Sequence, residues 1–256
     1  SYWETYYGWN KTDLAIAFSL ALIVSALMAP VAGRLIDRGY GRILLTACSV
    51  LGGVTLALLP LVDDKLQFYG VWLVIGVSMA GCFYEPCFSF VVHTYGDGAR
   101  KVITRITLVA GFAGTLSFPT TAFLADLFDW RAGVWAFAAM ICFIATPLFW
   151  IGAAPLGVVR DAAAIVPKPG EAKQGLLGLD LSAALRSPVF WLLAFAFTAI
   201  TLNHGVLITY FLPLLAERGV APSFAVLLIS LIGPMQVAGR VAMMFCERWL
   251  SIQTMC

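Results

Sequence analysis

Apolar residues run along this chain in long uninterrupted blocks, and the charges that end each block mark out the elements. Reading from charge to charge gives 14–33, 43–62, 66–84 (running on past Glu85 to 92), 106–125, 132–159, 187–216 and 219–239. Each block holds about 20 residues or more, and at about 1.5 Å rise per residue such a helix crosses about 30 Å of hydrocarbon. Barrel strands need only about 10 residues, so blocks of this length are read as helices. Backbone groups in lipid must pair within their own segment, which a helix achieves. The pattern predicts an all-α, polytopic membrane helix bundle with seven spans.

The polar residues between blocks then orient it. One set of loops holds Arg34, Arg38 and Arg42; Arg100, Lys101 and Arg105; Arg160, Lys168, Lys173 and Arg186; and Arg240 with Arg248. That is 12 of the 16 basic residues, and the alternating loops hold only Lys11, Lys65, Arg131 and Arg218. Basic loops stay in the cytoplasm, so the amino end is expected outside and the carboxyl end inside, in a cell inner (plasma) membrane. Segment 153–187 is the one sizeable polar stretch, marked by Pro155, Pro167, Pro169, Gly170 and Gly175. It divides the chain into 1–152 with five spans, a cytoplasmic loop, and 188–256 with two. Within that loop, 176–186 reads as a short interfacial helix.

Composition agrees. The 256 residues are 61% hydrophobic and 12% charged, with a mean hydropathy of +0.90, against about 25% charged in soluble domains. The net charge of +2 says little about partners, because where the charges lie matters more than their sum; no nucleic-acid partner is expected. Cys48, Cys82, Cys87 and Cys142 fall within spans and have no metal-ligand or redox spacing, so they read as small apolar side chains. No cofactor or metal is expected. No paired-histidine zinc motif, nucleophile elbow or pair of membrane aspartates occurs, so an enzyme is not the expected class.

Between the first two blocks lies Gly33-Arg34-Leu35-Ile36-Asp37-Arg38-Gly39-Tyr40-Gly41-Arg42. Val31-Ala32-Gly33-Arg34 returns as Val237-Ala238-Gly239-Arg240, and each copy leads to an acid–arginine pair, Asp37-Arg38 and Glu247-Arg248. Parallel six-helix repeats build one large class of transporters. The chain resembles the major facilitator superfamily, whose loop between helices two and three typically reads G-x-L-x-D-R-x-G-R-R. Gly33, Leu35, Asp37, Arg38 and Arg42 match, whereas Tyr40 and Gly41 depart, with the glycine displaced by one place. A closer likeness to bacterial members of the monocarboxylate and oxalate/formate transporter group rests on several segments. They are Tyr84-Glu85-Pro86, Thr107-Leu108-Val109-Ala110-Gly111-Phe112-Ala113, Trp130-Arg131 and Leu185-Arg186-Ser187-Pro188-Val189-Phe190-Trp191. The resemblance implies a partial major facilitator fold: helices two to eight of twelve, a monomer, and a fragment of a longer protein.

It also implies a secondary transporter working by alternating access on a small organic anion. Gly33, Asp37, Arg38 and Arg42 are then the conformational switch, with Gly33 expected to permit close helix approach. The plainer reading of the arginines is positive-inside anchoring. Arg240 is the expected carboxylate ligand, since a guanidinium offers two parallel hydrogen bonds; snorkelling to the interface is the alternative. The family often has aspartate four residues earlier, where this chain has Gln236. Gln236, Asn203 and His204 complete the candidate substrate set. Glu85 and His204 are candidates for carrying a coupling proton, each with a structural alternative: a buried acid bonded to Arg105 or backbone, and a helix-packing hydrogen bond. The antiporter signature of family helix five is absent, which favours proton symport. The competing class is a seven-helix receptor; its retinal-binding version fails, because none of the five lysines lies in a span.

Overall fold

The computed structural model describes residues 8–153 and 186–246. The central loop, the expected interfacial helix within it, and the pair Glu247-Arg248 lie outside the described residues. Among the described residues all regular structure is helical. Six stretches are long and apolar enough to cross a membrane: Thr12–Leu61, Lys65–Tyr95, Ala99–Leu127, Trp130–Gly152, Pro188–Glu217 and Ser223–Ala242.

The first stretch is two crossings. Its 50 residues would make a helix of about 75 Å, more than twice the hydrocarbon thickness. It breaks at Gly39, with φ 90° and ψ 6°, a left-handed conformation that glycine adopts without a Cβ clash. α1 (Lys11–Leu35) precedes this turn and α2 (Gly41–Leu58) follows it. Family and chain differ by one place in the glycine, and the structure shows why the turn survives: Gly39 carries the positive φ. Gly41 serves close packing instead, since a Cβ there would run into the ring of Phe90.

The chain forms two compact units, one made of 1–110 with 120–164 and the other of 111–119 with 165–256. In the first, α1 packs along α3 (Lys65–Cys82). Lys65 Nζ meets Asp13 Oδ2 at 2.6 Å, Gly76 abuts Ala21, and His93 faces Asp37. Both sequences rise together along this contact, so the two helices are parallel. Along α2 the order reverses: Gly41 lies by Phe90, Cys48 by Gly81, and Gly52 by Ser78. α2 is therefore antiparallel to α3, as a second crossing must be. It also runs antiparallel to α7 (Trp130–Met140) and α8 (Thr146–Gly152). Arg42 meets Trp150, Ser49 Oγ lies 2.9 Å from Thr146 Oγ1, and Trp135 Nε1 donates to the Ala57 carbonyl at 3.1 Å. This up–down alternation agrees with the alternation of basic and non-basic loops.

Polar and aromatic contacts close one end of this unit. Trp9, Ala17, Leu59, Val62 and Phe68 form a buried cluster, with Trp9 edge-on to Phe68 at 5.0 Å between centroids. Asp64 accepts from the Leu66 N–H at 3.1 Å and so caps α3. The third crossing is interrupted at Phe83, where ψ is −166°, and resumes as α4 (Tyr84–Tyr95). α5 (Ala99–Ala110) and α6 (Ala113–Leu127) follow. A five-residue π-helical segment, Ile141–Ala145, joins α7 to α8 ahead of Pro147.

In the second unit, α9 (Pro188–Glu217) has 30 residues and stays helical through Pro213. It ends at Gly219, φ 72°. There the Val220 N–H donates to the Leu215 carbonyl and the Gly219 N–H to that of Ala216, each at 3.0 Å, a Schellman stop. α10 (Pro222–Ser230) and α11 (Ile232–Cys246) make the last crossing, with a turn at Leu231.

Candidate functional site

The hairpin residues of the first unit have separate fates. Asp37 is 58% exposed, and its Oδ1 lies 4.0 Å from Nδ1 of His93, which is 23% exposed at the far end of the third crossing. An attraction at that distance requires a protonated imidazole. Arg38 is exposed beside it. Arg42 turns the other way: its Nε donates to the Trp150 carbonyl at 3.0 Å, and its guanidinium carbon sits 3.7 Å from the centre of the Trp150 ring. That is a cation–π contact combined with a bond to a carbonyl at a helix C-terminus, where cations are favoured. Gly33 makes no close helix approach within this unit. A Cβ there would meet nothing within 4 Å, so the close approach is not made at Gly33 but at Gly41 and Gly76, where neighbouring helices leave no room.

A pair that forms in one state of a moving protein biases the equilibrium between states. Asp37→Asn is therefore expected to slow transport by about tenfold while leaving substrate binding, read as a ligand-induced thermal shift, unchanged. Transport at the wild-type rate would remove the switching role.

Glu85 occupies the first turn of α4, directly after the break at Phe83, and is exposed. A carboxylate is favoured at a helix N-terminus. Among the described residues no ion pair joins it to Arg105, and both side chains are exposed.

In the second unit, His204 and Gln236 line one open cleft of about 470 Å³, together with Leu228, Leu231, Ile232 and Met235. That volume falls within the range of small-molecule pockets. His204 stands at the midpoint of α9, about as far from water as a span allows. Ile232, Gln236 and Arg240 follow one another at intervals of four on α11, which puts them on one helical stripe. Arg240 continues that stripe one turn beyond Gln236; it is half-buried and has six residues of α11 after it. Asn203 does not line the cleft; like His204 and Gln236, it is exposed. His204 and Gln236 are thus brought together, whereas Asn203 is turned about 100° away by its neighbouring position on the helix.

Sequence reasoning missed His93 and Trp150 as partners of the hairpin. Trp150 carried one signal, as an aromatic residue near a span end, where such residues gather. His93 carried none, since its role depends on a contact 56 residues away in sequence.

Long apolar helices that run parallel and antiparallel to one another, joined by a basic hairpin, define a multi-pass membrane protein. The sequence model of the Major Facilitator Superfamily matches residues 1–254, and the chain belongs to that family. It is a secondary transporter of the major facilitator type, which displaces the receptor alternative. No curated protein and no solved structure matches the chain.

Proposed function

We propose that this protein carries a small organic anion, monocarboxylate-like, across a cell inner membrane by alternating access, in symport with protons. Its amino end is outside and its carboxyl end cytoplasmic. The observation that carries this reading is the cleft shared by His204 and Gln236, with Arg240 on the same stripe of α11. Two hydrogen-bonding side chains sit on otherwise apolar walls of leucine, isoleucine and methionine, and Arg240 lies one turn further along α11. A carboxylate suits the polar end: Arg240 supplies charge and parallel donors, Gln236 an amide donor, and His204 either a donor or a proton acceptor according to its charge. An apolar tail suits the remainder.

His204 is the group proposed to carry the coupling proton, since it touches the same cleft as the anion and the two charges then neutralise each other in transit. Glu85 belongs to the other unit and is the second candidate. Alternating access would work through the hairpin, with Asp37 and Arg38 making and breaking contacts and Arg42 holding the turn to Trp150. Asn203 keeps only a supporting place in this scheme. The proposed divisions are 1–152, 153–187 and 188–256, and the proposed unit of function is a monomer.

The test is uptake of a series of labelled monocarboxylates and dicarboxylates by cells expressing the natural protein, with His204→Ala and Gln236→Ala alongside. Monocarboxylates should accumulate in preference. Gln236→Ala should raise KM about tenfold, as expected for one lost hydrogen bond to a charged group. His204→Ala should abolish the acceleration of uptake by an inward proton gradient. Uptake by both variants indistinguishable from wild type would sink the cleft as the substrate site.

A further inference from the structure

The wall of the cleft bends at Leu231, and Pro234 is the chemical cause. Proline has no N–H, so the carbonyl four residues earlier, on Ser230, lacks its intrahelical donor. In hydrocarbon such a carbonyl must find another partner. Ser230 cannot supply it, because its own hydroxyl donates to the Val226 carbonyl at 2.7 Å. The donor comes from segment 111–119 of the same unit: Thr115 Oγ1 donates to the Ser230 carbonyl at 3.0 Å.

The approach around that bond is tight. Gly233 is buried, and a Cβ built on it would come within 2.6 Å of the Gly111 carbonyl oxygen and 3.3 Å of the Thr115 nitrogen. Glycine at 233 therefore lets Thr115 reach the carbonyl that proline at 234 has freed. The residues flanking that carbonyl, Leu228, Leu231, Ile232, Met235 and Gln236, are the α10–α11 side of the cleft.

We propose that Thr115 is a positioning residue for the substrate cleft: its hydroxyl replaces the donor that Pro234 lacks and holds the bend that keeps Gln236 and His204 in one cavity. This rests on the cleft being the substrate site. Thr115 touches no substrate. Its effect passes through the backbone at 230–236.

Three variants of the natural full-length protein test it. Thr115→Val keeps the shape and removes the donor. Thr115→Ser keeps the donor. Thr115→Val combined with Pro234→Ala supplies a new donor, because an alanine N–H at 234 can reach the Ser230 carbonyl within the helix. For the monocarboxylate taken up best, Thr115→Val should raise KM about tenfold with kcat changed less than about twofold, and it should lower the melting temperature in detergent without substrate. Thr115→Ser should behave as wild type. The double variant should recover the melting temperature and most of the KM, provided Pro234→Ala alone retains uptake.

A threonine that merely filled space would be served by valine and would gain nothing from alanine at 234. Wild-type KM and melting in Thr115→Val, or a double variant no better than the single, overturns the proposal. If the melting series follows the expected order while Gln236→Ala leaves uptake untouched, the substrate assignment fails and the positioning role falls with it, though the bond itself stands.

Discussion

Gly76→Leu is expected to abolish recovery of folded protein. Gly76 lies on α3 where it crosses α1, and a Cβ placed there would stand 2.5 Å from the Ala21 carbonyl oxygen, 2.9 Å from its Cα and 3.1 Å from its carbonyl carbon. All three are backbone atoms, so no side chain can swing aside; one helix must move. Ala17 and Ala21 on the facing side are fully buried. Membrane helices associate through such close packing of small residues, because lipid gives them no hydrophobic reason to pair. Parting α1 from α3 would also stretch the Lys65–Asp13 ion pair, which at 2.6 Å has no slack. Overpacking a tight interior costs about 1–3 kcal/mol or more, and a leucine against backbone belongs at the upper end.

Gly70→Leu is the control. It sits on the same helix, but a Cβ there meets nothing within 4 Å. Fluorescence-detected size exclusion and melting in detergent should show Gly70→Leu near wild type, Gly76→Ala weakened, and Gly76→Leu aggregated or absent. Equal behaviour of the two leucine variants would mean that α1 and α3 do not approach as described.

Arg240→Ala should reduce uptake by at least about a hundredfold with protein abundance unchanged. Arg240 is half-buried on α11, near the end of the apolar stretch Ser223–Ala242, and six residues of the helix follow it. Under the proposed function it pairs with the carboxylate of the substrate, and truncating one partner of such a charge pair costs about 2–5 kcal/mol in affinity. Arg240→Lys should recover little, because an ammonium cannot offer the planar fork. Arg34 is the informative comparison, since it holds the same place in the other Val-Ala-Gly-Arg copy. It is exposed as the penultimate residue of α1, and its Nε donates to the Pro30 carbonyl of its own helix at 3.1 Å. Arg34→Ala should transport nearly as wild type. Undiminished uptake by Arg240→Ala would remove the anion-binding assignment.

The spans were legible in the sequence because lipid imposes one rule on every residue of a crossing, and charges mark where the rule stops. The interruptions inside them were not. Phe83, Leu231 and the π-helical segment 141–145 sit in apolar runs whose hydropathy carries no record of φ and ψ. Proline is an unreliable guide as well: α9 continues through Pro213, whereas the last crossing turns at Leu231 ahead of Pro234. His204 and Gln236 stood out because a polar side chain in an apolar block has few reasons to be there. Asn203 stood out for the same reason yet does not line that cleft, since composition distinguishes residues and not the faces of a helix. Contacts remote in sequence, such as Thr115 with Ser230, Arg42 with Trp150 and Gly76 with Ala21, leave no local trace. Each depends on the register in which two crossings meet.

Two cysteines of the first unit lie at such contacts. Cys48 faces Gly81, and Cys142 faces Gly53, each so close that the glycine could carry no methyl group. A maleimide attached to either sulfur would need several times that space. Both side chains keep part of their surface exposed, so packing slows alkylation without blocking it, and a change in the labelling rate of either native thiol would report movement at its contact without any engineered probe.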